Sequence, residues 1–171
     1  MEVAAPPEEA EANARARGPT ESLEAYVRRL ARAKAEAVAA AGHYGTLLAC
    51  DTLSEVDGRT LGKPLDRADA ERMLRSLSGR VHRVVTGVCL WQRPELDPIE
   101  ADAESTLEMG PLDEAFLDWY LESGMWQGKA GACGYQDERL PLRVLAGSEP
   151  NVVGLPLELV RRLLAEIDAR S

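Results

Sequence analysis

Segments typical of strands alternate along this chain with segments typical of helices, and they follow no fixed repeat. Residues 80–91 carry a dense run of valine, cysteine and leucine that predicts a buried strand. The apolar residues of 20–41 recur every three or four positions, which predicts an amphipathic helix that Thr20 caps and Gly42 ends. The same criteria predict helices over 67–77, 113–123 and 156–169, strands over 46–50, 99–109 and 140–145, and a hairpin turn at Asp57-Gly58. Such interleaving is typical of an α/β fold.

The length of 171 residues suits one domain with a substantial core. Residues 1–19 are rich in alanine, glutamate and proline and end at Gly18-Pro19, which predicts an extended lead-in. We therefore expect a single α/β domain over residues 20–171.

The composition excludes several classes of function. A net charge of -9, from 20 basic and 29 acidic side chains, argues against binding to a nucleic acid polymer. No apolar stretch is long enough for a signal peptide or a membrane span, so we expect a soluble cytoplasmic protein that does not bind membranes. The three cysteines are far apart and form no zinc-binding pattern, which favours free thiols in a reducing compartment. The sequence leaves the oligomeric state open, with a homodimer among the alternatives.

Two groups of polar residues follow apolar segments in the first half, and one further lysine lies on an apolar stripe. Asp51-Thr52 comes directly after a strand-like run, where a carboxylate can hold a divalent metal or orient a water; a turn is an equal alternative. Lys63 projects from the rigid Gly62-Lys63-Pro64 loop, although an exposed surface lysine is the default interpretation. Lys34 shares the apolar stripe of its helix, so its ammonium either extends to solvent or reaches into a cleft.

Two further groups lie in glycine-rich segments of the second half. Residues 129–136 join a lysine to a glutamine through small residues, so the backbone can approach a ligand and the Gln136 amide can address a base edge. A flexible connection is the alternative. Residues 147–156 suit either a tight structural junction or an anion-facing loop. Taken as chemistry alone, these groups indicate a metal-dependent phosphate site and nothing more specific.

Taken in order, the groups resemble the Maf family of nucleoside triphosphate pyrophosphatases. The matching blocks are Tyr26-Val27-x-x-Leu30-Ala31-x-x-Lys34-Ala35, Asp51-Thr52, Asp57-Gly58-x-x-Leu61-Gly62-Lys63-Pro64, His82-x-Val84-x-Thr86-Gly87-Val88, Lys129-Ala130-Gly131 through Gln136, and Gly147-Ser148-x-x-Asn151-Val152-Val153-Gly154-Leu155-Pro156. Ordered blocks at compatible spacing, from about residue 20 to the C-terminus, are far more specific than any one of them.

The resemblance implies a mixed sheet with flanking helices and a deep cleft, in which dTTP or UTP is cut between the α and β phosphorus atoms with Mg or Mn as cofactor. It assigns Asp51 as the catalytic and metal-binding carboxylate. It adds Glu11 as an acidic metal-site residue, with Glu8 and Glu9 fitting almost as well. The expected partner is the nucleoside triphosphate.

By the same resemblance, Lys34, Lys63 and Lys129 offset the charge of the phosphates, while Thr52 and Gln136 mark the branch that acts on dTTP and UTP. The sister branch, which acts on 7-methyl-GTP, usually carries other residues at those two positions.

The sequence also departs from the family pattern. A strand–helix unit with a Ser-x-Ser-Pro-Arg-Arg loop, which the family places before the first matching block, is expected to be missing, and Cys133 replaces an aromatic residue. Loss of phosphate-binding arginines lowers the rate of phosphoryl chemistry. A weak or inactive Maf-like protein that binds nucleotides or another partner is therefore the main alternative to an active pyrophosphatase.

Overall fold

A computed structural model describes residues 17–137 and 139–170. In chain order, the elements are helix α1 (Leu23–Ala40), strands β1 (Gly45–Val56) and β2 (Arg59–Leu61), helix α2 (Arg67–Leu77), strands β3 (Val81–Arg93) and β4 (Ile99–Met109), helix α3 (Glu114–Ser123), a 3₁₀ turn (Ala130–Ala132), strand β5 (Leu142–Ala146), and helices α4 (Glu149–Val152) and α5 (Leu157–Arg170). Among these residues, no helix is long and apolar enough to cross a membrane.

The strands form one sheet in the order β2-β1-β3-β4-β5, and both outer pairs are antiparallel. Strands β1 and β3 also run in opposite directions, because Thr46 bonds to Gln92 near one end and Arg83 bonds to Glu55 near the other. The α/β class with flanking helices is confirmed, and the expected mixed sheet is antiparallel in these described pairs. The hairpin turn at Asp57-Gly58 is confirmed by the positive φ of both residues, 50° and 73°.

The chain divides into two compact units. Of the described residues, the first unit comprises those up to Asp51, Thr86–Ala103 and those from Gly154 onwards, and the second unit comprises those within Thr52–Val85 and Glu104–Val153. The expectation of a single domain over residues 20–171 stays a prediction, and most of the expected lead-in at 1–19 lies outside the described residues.

In the first unit, alternate residues of β3 pack against different helices. Cys89 packs against Ala31 and Ala35 of α1, whereas Val88 and Leu90 pack against the buried residues of α5. Successive side chains of a strand point to opposite faces, so β3 is covered on both sides. This explains why the segment has no polar alternation, as the sequence predicted.

In the second unit, α2 and α3 supply half of the described residues in the buried core cluster. Leu74 and Leu77 of α2 cluster with Leu117 and Tyr120 of α3, all of them 2% exposed or less. Burial of each such side chain stabilises the fold by about 2 kcal/mol. The predicted bounds of α2 agree with the structure, because Asp66 accepts a hydrogen bond from the Asp69 N–H at the helix start.

The predicted start of helix α1 was wrong, and one short helix was not predicted. Helix α1 begins at Leu23, and Ser22 caps it in place of Thr20: the Ser22 hydroxyl accepts a hydrogen bond from the Ala25 N–H at 3.1 Å. Helix α4, which Ser148 caps, was not predicted; it falls inside residues 147–156.

Candidate active site

Lys34 and Asp51 form an ion pair in the first unit. The Lys34 Nζ lies 2.6 Å from Oδ1 of Asp51 and 3.4 Å from the carbonyl oxygen of Cys50. The two side chains are 23% and 16% exposed, so the pair is largely shielded from solvent. The Lys34 side chain was expected either to extend to solvent or to reach inwards from its helix. The structure favours the second interpretation, because the ammonium contacts a carboxylate on a neighbouring strand.

Asp51 lies in the middle of β1, so the prediction that the strand ends at Cys50 was wrong. The strand continues to Val56 because Ser54, Glu55 and Val56 pair with β2 across the hairpin. Ala49 packs in the cluster beneath α1 and Asp51, two residues further along, shares its face of the strand, which explains why it reaches Lys34.

Cys50 faces the other side of β1 and packs in the cluster beneath α5. Burial raises the pKa of its thiol to about 11, so the thiol is uncharged at neutral pH. The charges at this point of the strand are therefore those of Lys34 and Asp51.

The Asp51 carboxylate suits a divalent cation of the kind predicted. Mg²⁺ prefers oxygen ligands and commonly combines one or two carboxylates with substrate phosphates. Within residues 17–137 and 139–170, no group of three His, Cys, Asp or Glu side chains is placed to hold a metal by itself. A single carboxylate would need further oxygen ligands, such as substrate phosphates, to complete a cation site. Glu11, like Glu8 and Glu9, lies outside the described residues.

In the second unit, the loop that carries Lys63 lies beside the segment that begins at Lys129. The Gly131 N–H donates a hydrogen bond to the carbonyl oxygen of Gly62 at 2.9 Å. Lys63 itself is exposed, as a surface lysine would be. The structure therefore places two of the predicted phosphate-binding lysines on adjacent loops.

We call residues 129–137 the clamp segment, because Asp137 binds back to its start. The Lys129 Nζ lies 2.5 and 2.7 Å from the two carboxylate oxygens of Asp137, and the Tyr120 hydroxyl and the Gly134 N–H also donate to this carboxylate. Burial opposes ionisation of Asp137, but these donors outweigh it and hold its pKa below the usual value. Sequence analysis missed Asp137, although it directly follows Gln136.

Gln136 and Thr52, the predicted specificity residues, both lie in the second unit. Gln136 is exposed and lines a pocket of about 350 Å³, which is also lined by Trp119, Tyr120, Met125, Asp137 and Arg139. Thr52 is half-buried in β1.

In the second unit, residues of the segment 147–156 form a structural junction through the contacts that the structure describes. The Asn151 side chain is 1% exposed and donates to the Ser105 hydroxyl at 2.9 Å, which in turn accepts from the Ser148 N–H. A Cβ on Gly147 would lie 2.3 Å from the Ser105 hydroxyl, so only glycine fits there. These contacts favour the junction over an anion-facing loop.

Comparison with known proteins gives the same assignment as the ordered motifs. The family model described as "Maf-like protein" matches residues 2–167, which include most of the expected lead-in. A dTTP/UTP pyrophosphatase of Rhodopirellula baltica is 45% identical over 152 residues, covering 88% of this chain and 67% of the relative. A dTTP/UTP pyrophosphatase of Symbiobacterium thermophilum is 41% identical over 96% of this chain and 82% of its own length, and one of Pyrococcus horikoshii is 38% identical over 78% and 72%. With the family model and these relatives covering most of its length, the chain belongs to the Maf-like protein family.

Proposed function

We propose that this chain hydrolyses dTTP and UTP to the nucleoside monophosphate and pyrophosphate. The observation that carries the proposal is the Lys34–Asp51 pair, which holds a carboxylate and a cation 2.6 Å apart in a largely shielded position of the first unit. The relatives named dTTP/UTP pyrophosphatase support the choice of substrates.

In this reaction, a water oxygen attacks the α phosphorus, the bond from that phosphorus to the bridging oxygen breaks, and pyrophosphate leaves with the bonding electron pair. The attacking water must lose a proton, and a carboxylate is suited to accept it. We assign this role to Asp51. Lys34 orients the carboxylate through the 2.6 Å contact and offsets the negative charge that develops at the phosphate.

A divalent cation, Mg²⁺ or Mn²⁺, completes the proposal. Asp51 would hold it, with Glu11 as the second acidic residue that the family resemblance implies. When bound, the cation would neutralise part of the phosphate charge.

The other assigned residues belong to the second unit. Lys63 offsets phosphate charge from its rigid loop, and Thr52 and Gln136 select the pyrimidine. Lys129 is paired with Asp137 through both oxygens, so any contact with a phosphate would have to replace that carboxylate. We further propose that the protein acts in the cytoplasm on free nucleotides; association as a homodimer stays a prediction.

The test is pyrophosphate release by Asp51→Asn, with dTTP and UTP as substrates and Mg²⁺ or Mn²⁺ present. We expect the rate to fall by about 10²- to 10⁴-fold, because the amide cannot accept the proton. Stability should fall by about 1–3 kcal/mol, because the substitution leaves the largely shielded Lys34 ammonium without its carboxylate. Asp57→Asn is the matched control: Asp57 lies in the exposed hairpin turn with a φ of 50°, which asparagine tolerates.

Equal rates for Asp51→Asn and the parent chain would remove Asp51 from the mechanism. Release of pyrophosphate from 7-methyl-GTP, at a rate above that from UTP, would place the chain in the sister branch and contradict the assignment of Thr52 and Gln136.

A further inference from the structure

The carboxylate of Asp137 is saturated by donors from the protein itself. It accepts from Lys129 Nζ at 2.5 and 2.7 Å, from the Tyr120 hydroxyl at 2.6 Å and from the Gly134 N–H at 3.0 Å. A carboxylate offers about four acceptor sites. Its side chain is only 11% exposed, so Asp137 has little capacity to contact a substrate.

The donors are distributed so that they fix the whole clamp segment. Lys129 is the first residue of the segment, Gly134 lies in its middle and Asp137 ends it, so the contacts close the segment into a loop. Tyr120 anchors that loop to α3, where its side chain is fully buried and its ring stacks on Phe116 with centroids 5.8 Å apart. The segment is therefore tied to a rigid helix by one hydroxyl.

This arrangement leaves the side chain of Gln136 exposed in the pocket. It directly precedes Asp137, so their Cα atoms are about 3.8 Å apart. Both line the same pocket of about 350 Å³, but Gln136 is exposed there while Asp137 points to its internal donors. Any movement of the Asp137 backbone moves the Gln136 amide.

We propose that Asp137 is a positioning residue for nucleobase selection: with Tyr120 and Lys129 it holds the clamp segment so that the Gln136 amide meets the pyrimidine edge. This inference rests on the proposed function. It gives Lys129 the role of a clamp on Asp137 and adds Asp137 and Tyr120 to the residues that determine specificity.

The experiment compares kcat/KM for UTP and CTP, which differ at one edge of the base. An amide whose orientation is fixed distinguishes the two bases, because an NH₂ group held at that edge donates to the carbonyl of uracil but meets another donor in the amino group of cytosine. We expect the UTP-to-CTP ratio to fall about tenfold in Asp137→Asn and by a smaller factor in Tyr120→Phe, which removes a single oxygen. The control is Glu108→Gln, which removes the same charge from an exposed pair with Arg143 in the second unit and should leave the ratio unchanged.

A merely structural role would lower both rates together and leave the ratio unchanged, so the ratio separates the two explanations. A double-variant cycle adds a second criterion, because Asp137 is proposed to act through Gln136. Adding Asp137→Asn to Gln136→Ala should change the ratio by less than twofold.

The proposal is overturned if both single variants keep the parent ratio within twofold, or if the parent chain itself does not distinguish UTP from CTP. If the parent hydrolyses neither nucleotide, the proposed function fails instead. Binding of the α,β-methylene analogues of UTP and CTP, which cannot be cut at that bridge, then measures the same ratio by calorimetry.

Discussion

Gly87→Ala should disturb the candidate active site from a distance, because Gly87 is where β3 touches the backbone of α1. A Cβ at this position would lie 2.2 Å from the Val27 carbonyl oxygen, 2.3 Å from the Val27 carbonyl carbon and 2.6 Å from the Arg28 nitrogen. These are backbone atoms, so no side chain can rotate to make room. The helix and the strand must separate.

Ordinary contact begins at about 3.4 Å, so α1 has to withdraw by roughly 1 Å at Val27. Lys34 lies about two turns further along the same helix, and a helix transmits such a shift because it is rigid. The Lys34–Asp51 distance of 2.6 Å would then exceed hydrogen-bonding range. We expect a loss of about 1–3 kcal/mol in the free energy of unfolding and, since a 1 Å misplacement can cost a factor of about 10², a comparable fall in pyrophosphate release.

Chemical denaturation and pyrophosphate release, measured on the same preparation, test both effects. Gly18→Ala is the matched control in the first unit, because a Cβ there meets its nearest neighbour, the Glu21 Cβ, at 3.5 Å, which is ordinary contact. If Gly87→Ala unfolds within 0.5 kcal/mol of the parent and retains its rate, the reasoning about close packing is wrong, since effects of that size are typical of neutral surface changes.

Two further predictions concern charged pairs. Arg29 binds both oxygens of Glu21 and holds its pKa at about 2, so this carboxylate stabilises the fold fully above pH 4.5 and loses its effect as the pH falls through 2. Glu21→Gln should therefore lower the melting temperature at pH 7, by the equivalent of about 1 kcal/mol or less, and the difference from the parent should shrink between pH 4.5 and pH 2; a constant difference over that range would contradict the pKa. Lys129→Met should lower the UTP-to-CTP ratio as Asp137→Asn does, whereas equal losses for both nucleotides would contradict its role as a clamp on Asp137.

The sequence predicted well those elements whose ends are set by nearby residues, such as a capping side chain or a glycine. Strand β4 and helix α2 agree with their predicted bounds, and α3 lies between its cap Asp113 and Gly124, which has a φ of 70°. Strand β1 was predicted too short because Asp51 and Thr52 are polar. Its continuation depends on pairing with β2, and a pairing partner cannot be inferred from the composition of one strand.

Helix α4 was missed for a related reason. It has four residues and a proline in its first turn, so intrinsic propensity gives almost no signal. The buried Asn151, which bonds to Ser105 more than forty residues earlier in the chain, stabilises it through tertiary contact.

Site residues on regular elements are likewise easier to predict from the sequence than those in irregular segments. Lys34 was identified because its position on an apolar stripe is a periodic property of one helix. Asp137 was not identified, because its contact with Lys129 depends on the path of an irregular segment. Spacing alone does not predict a contact between residues eight positions apart without a repeating structure.

The clamp segment contains one backbone conformation that is unfavourable unless neighbouring contacts hold it. Ala132 has a φ of 59° and is fully buried, a region that costs a residue with a Cβ about 1 kcal/mol or more. Such a conformation persists only when the surrounding contacts hold it. The contacts that hold it include the packing of Ala132 in the core of the second unit, the bond from Gly131 to Gly62 and the hydrogen bonds that converge on Asp137. Removing the Asp137 carboxylate removes the support on the far side of Ala132, so the exposed part of the segment can shift and carry Gln136 with it while Ala132 stays packed in the core. For this reason we expect the loss of Asp137 to change selectivity more than stability.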